Sequence, residues 1–516
     1  MAVKVIFSEC SIPFWIDVAD NLVRQHQWKP IYWTARPDYK TIVTKRFPDI
    51  IFHSNIDAVR GIPAPDCMNL PLPPIDQPLL KDLSFNESIA LRMMNRMDRT
   101  DSFTFEEREQ LYYQYVRYWN GIITHYSPDV VVFSVSPHLI YDYTLYSLCK
   151  KYKIVTILFE QTSLDGWIYP EQHFEEGSQL LQTTYKTMVE CWKQGKNKKI
   201  TLSDEAKKHL DKISGEYSIA VPFYMKDQFQ QKNFARFLIK KILTNPKNIS
   251  NMIKKGRYLF SRPHYIKEKG KSIQESDLRK WRYLFCRIQG MKKKNMLKHI
   301  YTTLEKEVDF QQPYVYFPLH YRPENTTSPL GESYDDQFLV IDMLSKCVPD
   351  GWRIYVKEHS SQWHIKLCGE SGRSTDFYNR IVSLPNVQLI PITSSNFDLI
   401  DNAKTVVTIT GTAGWEAVVR GKPVLIFGHA WYKFCEGVFF IQSEKDCREA
   451  FAKIQSGFTI DKELVHLFLA IVQRIGVNAY VEPAFAKIVN FSPDQNVTRL
   501  VDAIRSFYIQ ITSNKS

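Results

Sequence analysis

Val406-Val407-Thr408-Ile409-Thr410-Gly411-Thr412-Ala413-Gly414-Trp415-Glu416-Ala417, running on into Gly421-Lys422-Pro423-Val424-Leu425-Ile426-Phe427, decides the fold of this chain. It reads as a buried strand, a tight turn, a short helix opening near Trp415 and a second buried strand. The turn sets two glycines and two threonines at a helix start. First-turn N–H groups have no intrahelical acceptor and the helix dipole is positive there, so the place suits a phosphate. Glu416 falls within a turn of that start, where a carboxylate could accept from ribose hydroxyls. An ordinary strand-to-helix turn, with glycines for close packing, fits the same residues.

Two further stretches keep it company: Val315-Tyr316-Phe317-Pro318-Leu319-His320-Tyr321-Arg322-Pro323-Glu324 and Arg353-Ile354-Tyr355-Val356-Lys357-Glu358-His359-Ser360. Each is a short apolar strand ending in a polar cluster. Open parallel sheets bind ligands beyond the carboxyl ends of their strands. One crevice would then receive His320, Arg322 and Glu324, then Lys357, Glu358 and His359, then Thr410, Gly411, Thr412 and Gly414, with Glu416 behind. Cations beside a phosphate-cradling turn point to a nucleotide mono- or diphosphate.

The Leu319–Glu324, Val356–His359 and Thr410–Ala417 stretches, with Gly421-Lys422-Pro423, resemble the capsule polysaccharide biosynthesis family. That family includes bacterial Kdo transferases and related surface-glycan glycosyltransferases of the two-domain GT-B fold. The resemblance covers about residues 311–435, with a weaker echo from Tyr126 to His138. Where the family usually carries Lys-Glu-His-Pro, this chain has Ser360, which frees the backbone after His359. The resemblance implies a glycosyltransferase that moves a sugar from a nucleotide-sugar donor, CMP-, UDP- or GDP-linked, to a bacterial surface polysaccharide or glycolipid. It implies no cofactor beyond that co-substrate. A nucleotide-sugar epimerase of the same fold, or a non-catalytic glycan- or nucleotide-binding partner in a polysaccharide assembly complex, stands as the alternative.

At 516 residues the chain exceeds one core and predicts two domains. Its 44% hydrophobic and 24% charged residues are those of a globular protein. The nine cysteines are scattered, without zinc spacing, and their odd number argues against a disulfide framework. Polar Ser8, Glu9 and Ser11 interrupt the first apolar run, so it reads as a strand and not a signal peptide. The expectation is a cytoplasmic protein, with attachment to the cytoplasmic face of the inner membrane suggested by charge. Between Lys232 and Lys298 lie 20 Lys and Arg against three acids, a surplus of +17; set against +12 for the whole chain, the remainder carries −5. Within that segment Phe234, Phe237, Leu238, Ile242 and Leu243 recur at helical spacing. A solvated helical face, an anionic leaflet and nucleic acid are its three readings, and no recognised nucleic-acid motif accompanies the charge.

Alternating strand and helix signals predict an α/β, GT-B-like chain: two Rossmann-type domains facing across a cleft, with a basic helical segment between them. The expected divisions are an acceptor-side domain at 1–225, a basic linker at 226–310, a nucleotide-sugar domain at 311–490, and a last helix in 491–516 packing back on the first domain. The first domain should then supply the base that takes a proton from the acceptor hydroxyl. Glu9, His138 and Glu160, each in or near a loop after a predicted strand, are the candidates, with Asp142 beside them. Glu9 also fits a helix cap, and Arg322 and Glu324 fit a mutual ion pair. Asp335-Asp336 reads as a helix start. No metal site is expected.

Overall fold

The computed structural model describes residues 2–98, 103–196, 200–215, 280–324, 326–364, 367–482 and 485–513. Among the described residues thirteen strands form two sheets. β1 (Lys4–Ser8), β2 (Lys29–Ala35), β3 (Ile51–Ser54), β4 (Val130–Phe133), β5 (Val155–Gln161) and β6 (Trp167–Glu171) belong to the first, with β13 (Val477–Asn478). The second holds β7 (Tyr314–Pro318), β8 (Arg353–Lys357), β9 (Val387–Leu389), β10 (Thr405–Thr408), β11 (Val424–Ile426) and β12 (Val438–Phe440).

The first sheet runs β13-β6-β5-β4-β1-β2-β3, parallel from β3 to β5, with β6 and β13 antiparallel at its edge. The second runs β12-β11-β10-β7-β8-β9 and is parallel throughout. Counted along the chain, that is the doubly wound order 3-2-1-4-5-6, which reverses between its first and fourth strands. The central strands are apolar on both faces because helices cover both. Val5 and Phe7 point to one side of β1, with Trp15 and Leu500; Ile6 points to the other, with Trp119 and Tyr141. Val406 and Val407 split the same way between the two cores of the second sheet. Both units are Rossmann-type α/β domains.

Three segments cross between them. The helices Gln179–Lys193 and Asp204–Ser214 bury Leu181, Tyr185, Leu210 and Ile213 in the second sheet's core, beside Trp415 and Phe468. The division expected at 225 assigns them to the first domain, whereas their apolar faces lie in the core of the second sheet. An amphipathic stripe shows that a helix is covered, not by which sheet. The last helix, Pro493–Ser513, lies on Pro13–His26 and buries Val497, Leu500, Val501 and Ile504 in the first domain. Helix Lys280–Leu304 packs Leu297 and Tyr301 against the second sheet. The rest of the basic 226–310 segment up to residue 279, including Phe234–Leu243, lies outside the described residues.

The domains meet through loops at the carboxyl ends of both sheets. Arg92 Nη1 donates to Ser333 O at 2.7 Å, Trp431 Nε1 to Ser163 Oγ at 3.2 Å, Tyr169 OH to Trp431 O at 3.1 Å and Lys433 Nζ to Glu175 O at 2.8 Å. Leu330, from the second domain, is buried in the first domain's core. Among the described residues no helix is long and apolar enough to cross a membrane.

Candidate functional site

The strand-order reversal sets the end of β7 beside the end of β10, and His320 joins them. Its Nε2 accepts the Ile409 N–H at 3.2 Å and lies 3.0 Å from Thr408 Oγ1, so Nδ1 carries the proton and donates to Glu324 at 3.0 Å. Gln337 brackets the same residue: His320 N–H donates to Gln337 Oε1, and Gln337 Nε2 to His320 O. Thr408 Oγ1 takes the Gly411 N–H at 3.0 Å. The imidazole therefore shapes the turn. Expected as a cation facing phosphate, it is instead buried against that turn's backbone.

Helix Thr412–Val419 starts at Gly411 with no side-chain cap; the Gly414 N–H turns back to Gly411 O at 3.1 Å, and no side chain among the described residues meets the Thr412 or Ala413 N–H. Thr412 is exposed there, and Thr410 Oγ1 is buried without a hydrogen-bond partner. The glycines answer a packing demand. A Cβ on Gly411 would lie 2.8 Å from Thr408 Oγ1 and 3.0 Å from His320 Cε1; one on Gly414 would strike Tyr432 Oη and sit 2.9 Å from Thr408 Cγ2. Tyr432 OH in turn donates to Gly411 O at 2.6 Å. Glu416 is half-buried, and its carboxylate accepts no hydrogen bond among the described residues. Burial raises its pKa to about 7, offset in part by Arg420. Trp415, fully buried, donates through Nε1 to His209 Nε2 at 2.9 Å.

The other strand-end residues divide by what they hold. Glu358 has a side chain 0% exposed, pairs with Arg373 at 2.9 and 3.0 Å, and accepts from Tyr378 OH at 2.6 Å. It has no surface to offer a ligand, contrary to expectation, because Arg373 arrives from a loop 15 residues on. Arg322 pairs with Asp335 at 2.8 Å, while Glu324 pairs with His320, so the two do not pair with each other. Burial pushes Glu324 up, but opposing interactions, led by the hydrogen bond from His320 Nδ1, hold the carboxyl below its ordinary value. Lys357 donates to Ser394 O and, at 2.6 Å, to Asn396 Oδ1. It has no carboxylate partner among the described residues, and burial lowers its pKa to about 8. His359 Nδ1 accepts the Ser361 N–H at 3.1 Å; burial lowers its pKa too.

In the first domain Glu9 takes a left-handed φ of 57° directly after β1. It caps no helix: helix Pro13–His26 begins without a side-chain cap. Its carboxylate accepts from Tyr141 OH, from Asn55 Nδ2 at 2.8 Å and from Ser11 Oγ at 3.3 Å. Burial still raises its pKa. His138 Nδ1 lies 3.3 Å from Ser136 O, and burial, helped by Arg96, lowers its pKa to about 4. Asp142 accepts the His138 N–H at 3.4 Å and keeps Oδ1 buried without a partner. Glu160 is raised to about 8 by burial, against the pull of Lys433 from the other domain; burial raises Glu171 beside it as well.

A second arginine outside any motif, one turn after Arg92, links the halves. Arg96, on helix Gln77–Met97, donates to His138 O on the first side and to Ser328 O (2.9 Å) and Glu324 O (3.3 Å) on the second. Nothing in its sequence context marks it, nor Gln337, Arg373, Tyr432 or Lys433. Among the described residues no three His, Cys, Asp or Glu gather as a metal set. Cavities of about 500 and 320 Å³ lie elsewhere, at the β6–β13 seam near Trp167 and Arg499, and under helix Asp204–Ser214 near Lys462. The chemistry is concentrated at the strand ends, so those cavities do not define this site.

Residues 327–451 match the family model described as capsule polysaccharide biosynthesis protein, a span that begins just beyond His320–Glu324 and includes Lys357 and Thr410–Glu416. No curated protein matches the chain. Among solved structures it is similar to UDP-GlcNAc 2-epimerase from Methanocaldococcus jannaschii, at 11% identity over 92% of this chain and 100% of that one, TM-score 0.24. It is similar to UDP-GlcNAc 2-epimerase from Neisseria meningitidis bound to UDP-GlcNAc, at 11% identity over 98% and 100%, TM-score 0.20. It is similar to KpsC, the beta Kdo 2,4 transferase of Thermosulfurimonas dismutans, at 12% identity over 66% and 87%, TM-score 0.24. TM-scores this low carry no argument about activity, and the fold rests on the strand orders above.

Proposed function

We propose that this chain, whose residues 327–451 match the capsule polysaccharide biosynthesis protein model, is a GT-B-type glycosyltransferase acting on a nucleotide-sugar donor. The acceptor in this reading is a bacterial surface polysaccharide or glycolipid. The observation that carries it is the turn after β10. There an uncapped helix start and the Thr410 hydroxyl and Glu416 carboxylate, neither hydrogen-bonded among the described residues, share one strand-end edge. The helix start and Thr410 suit the donor's phosphates, and Glu416 suits ribose hydroxyls. Lys357, a cation with no carboxylate partner among the described residues, favours an anion at the same edge. His320 positions the turn and does not itself meet phosphate.

Transfer needs a base at the acceptor hydroxyl and stabilisation of the leaving phosphate. Glu9 and Glu160 are carboxylates that burial makes more basic than usual, and Glu160 faces Lys433 across the domain boundary. His138, lowered to about 4, is neutral at pH 7 but a weak base. The helix start and Lys357 neutralise the departing nucleotide, so the reaction runs without a metal.

The test is thermal unfolding with CMP, UDP, GDP and their sugars, followed by nucleotide release on acceptor addition. A nucleotide at 100 times its dissociation constant stabilises by about 2.7 kcal/mol. Release of nucleotide coupled to sugar transfer, persisting in EDTA, supports the reading. Epimerised donor without acceptor would replace it with an epimerase, and no turnover of any bound donor with a binding partner. Loss of transfer in EDTA with rescue by Mg²⁺ would overturn the metal-free arrangement.

A further inference from the structure

Helix Lys280–Leu304 contains seven Lys and Arg and no acid. One side is committed to the second domain. Leu297 and Tyr301 are fully buried, and Lys294 pairs with Glu370 at 3.1 Å and donates to His364 O at 3.0 Å. The other side is open and carries four apolar side chains among the exposed Gln289, Asn295 and His299: Phe285, Ile288, Met291 and Met296 are 56%, 42%, 38% and 42% exposed. At 3.6 residues per turn, Phe285, Ile288, Lys292 and Met296 fall within an arc of about 80°, with Met291 and Lys298 along one border. Single exposed hydrophobics are ordinary, but four on one face of an acid-free helix are not.

We propose that this face docks the protein on an anionic lipid surface. Apolar side chains flanked by lysines sink into the headgroup and acyl boundary while the ammonium groups stay among lipid phosphates. The charge argues for this occupant. A second copy of this helix would bring no acids to match the lysines. Nucleic acid would match the lysines and leave Phe285, Ile288 and Met296 without apolar cover. The sequence just before the helix, residues 232–279, prolongs the basic surplus. The same helix touches the strand-end edge, because Tyr301 OH accepts the Glu358 N–H at 3.0 Å next to His359. Docking would therefore hold that edge close to the lipid. The surface does not depend on the transfer chemistry, since it is read by binding alone.

The experiment is flotation of the full chain with vesicles of phosphatidylcholine, and with vesicles that also contain phosphatidylglycerol. The protein should float with the mixed vesicles and stay behind with the neutral ones. Phe285→Ser with Ile288→Ser should weaken binding about tenfold even at low salt, whereas Lys292→Glu with Lys298→Glu should abolish it. Both variants should keep the wild-type melting temperature. Equal flotation with both vesicle types would overturn the proposal, as would wild-type binding by both variants. A single-stranded oligonucleotide that displaces the vesicles, and whose own binding survives loss of Phe285 and Ile288, would mark a polyanion site instead.

Discussion

His320 Nε2 accepts the Ile409 N–H at 3.2 Å, so a side chain at the end of the second sheet's first strand holds the backbone at the end of its fourth. The two residues are 89 apart in sequence, and the bond is buried. Through Thr408 Oγ1 the same contact reaches the Gly411 N–H and sets where helix Thr412–Val419 begins.

Replacing that imidazole should loosen the turn. His320→Ala leaves a buried N–H unpaired and a small void, a cost of about 2–4 kcal/mol in urea unfolding. Nucleotide affinity should fall with it. Glu324→Gln should cost less, because the amide oxygen still accepts from Nδ1. Equal losses in the two variants would mean that the Glu324 charge, and not the ring, holds the turn.

Gly414→Ala should destabilise by about 1–3 kcal/mol, since its methyl meets Tyr432 Oη and Thr408 Cγ2. Tyr432→Phe removes the first obstacle along with the bond to Gly411 O. The double variant should then be more stable than the sum of the singles predicts. Strict additivity in thermal unfolding would show that the tyrosine hydroxyl is not what excludes the methyl.

Glu416 sets a pH dependence. Ribose hydroxyls need an ionised acceptor, so nucleotide affinity should rise as pH climbs through about 7 and be flat in Glu416→Gln. Stability moves the other way. A folded pKa raised above the ordinary 4.5 contributes stability that is fully present below that value and lost as pH rises through about 7. Wild type should therefore lose on the order of 1 kcal/mol relative to Glu416→Gln between pH 5 and 8, after allowance for solvent screening. Isothermal titration and urea midpoints at the two pH values read both effects; nucleotide affinity independent of pH would remove the ribose role.

Arg96→Ala strips donors from the carbonyls of His138, Glu324 and Ser328 at once. A cost of about 2–3 kcal/mol is expected, with faster amide hydrogen exchange in the 326–335 loop than elsewhere in the second domain. Exchange unchanged in that loop would mean that the Arg92, Trp431 and Lys433 contacts hold the domains without Arg96.

Local chemistry along the chain was enough for the α/β alternation, the strand ends and the turn. Apolar runs of four or five residues make buried strands, Gly411 opens a helix, and Asp336 caps one through the Phe338 N–H, all within a few residues of each signal. Strand register then carried His320, Lys357 and Thr408 to one edge of one sheet. Which way each polar group turns there was decided only in three dimensions. Glu358 goes inward because Arg373 and Tyr378 meet it, and Arg322 goes to Asp335 and not to Glu324. Helices Gln179–Lys193 and Asp204–Ser214 leave the first domain because the second offers their apolar stripes a matching face. A charge or an apolar stripe in sequence states a requirement for a partner; the partner is chosen by whichever distant segment packing brings within 3 Å, and no local pattern records that choice.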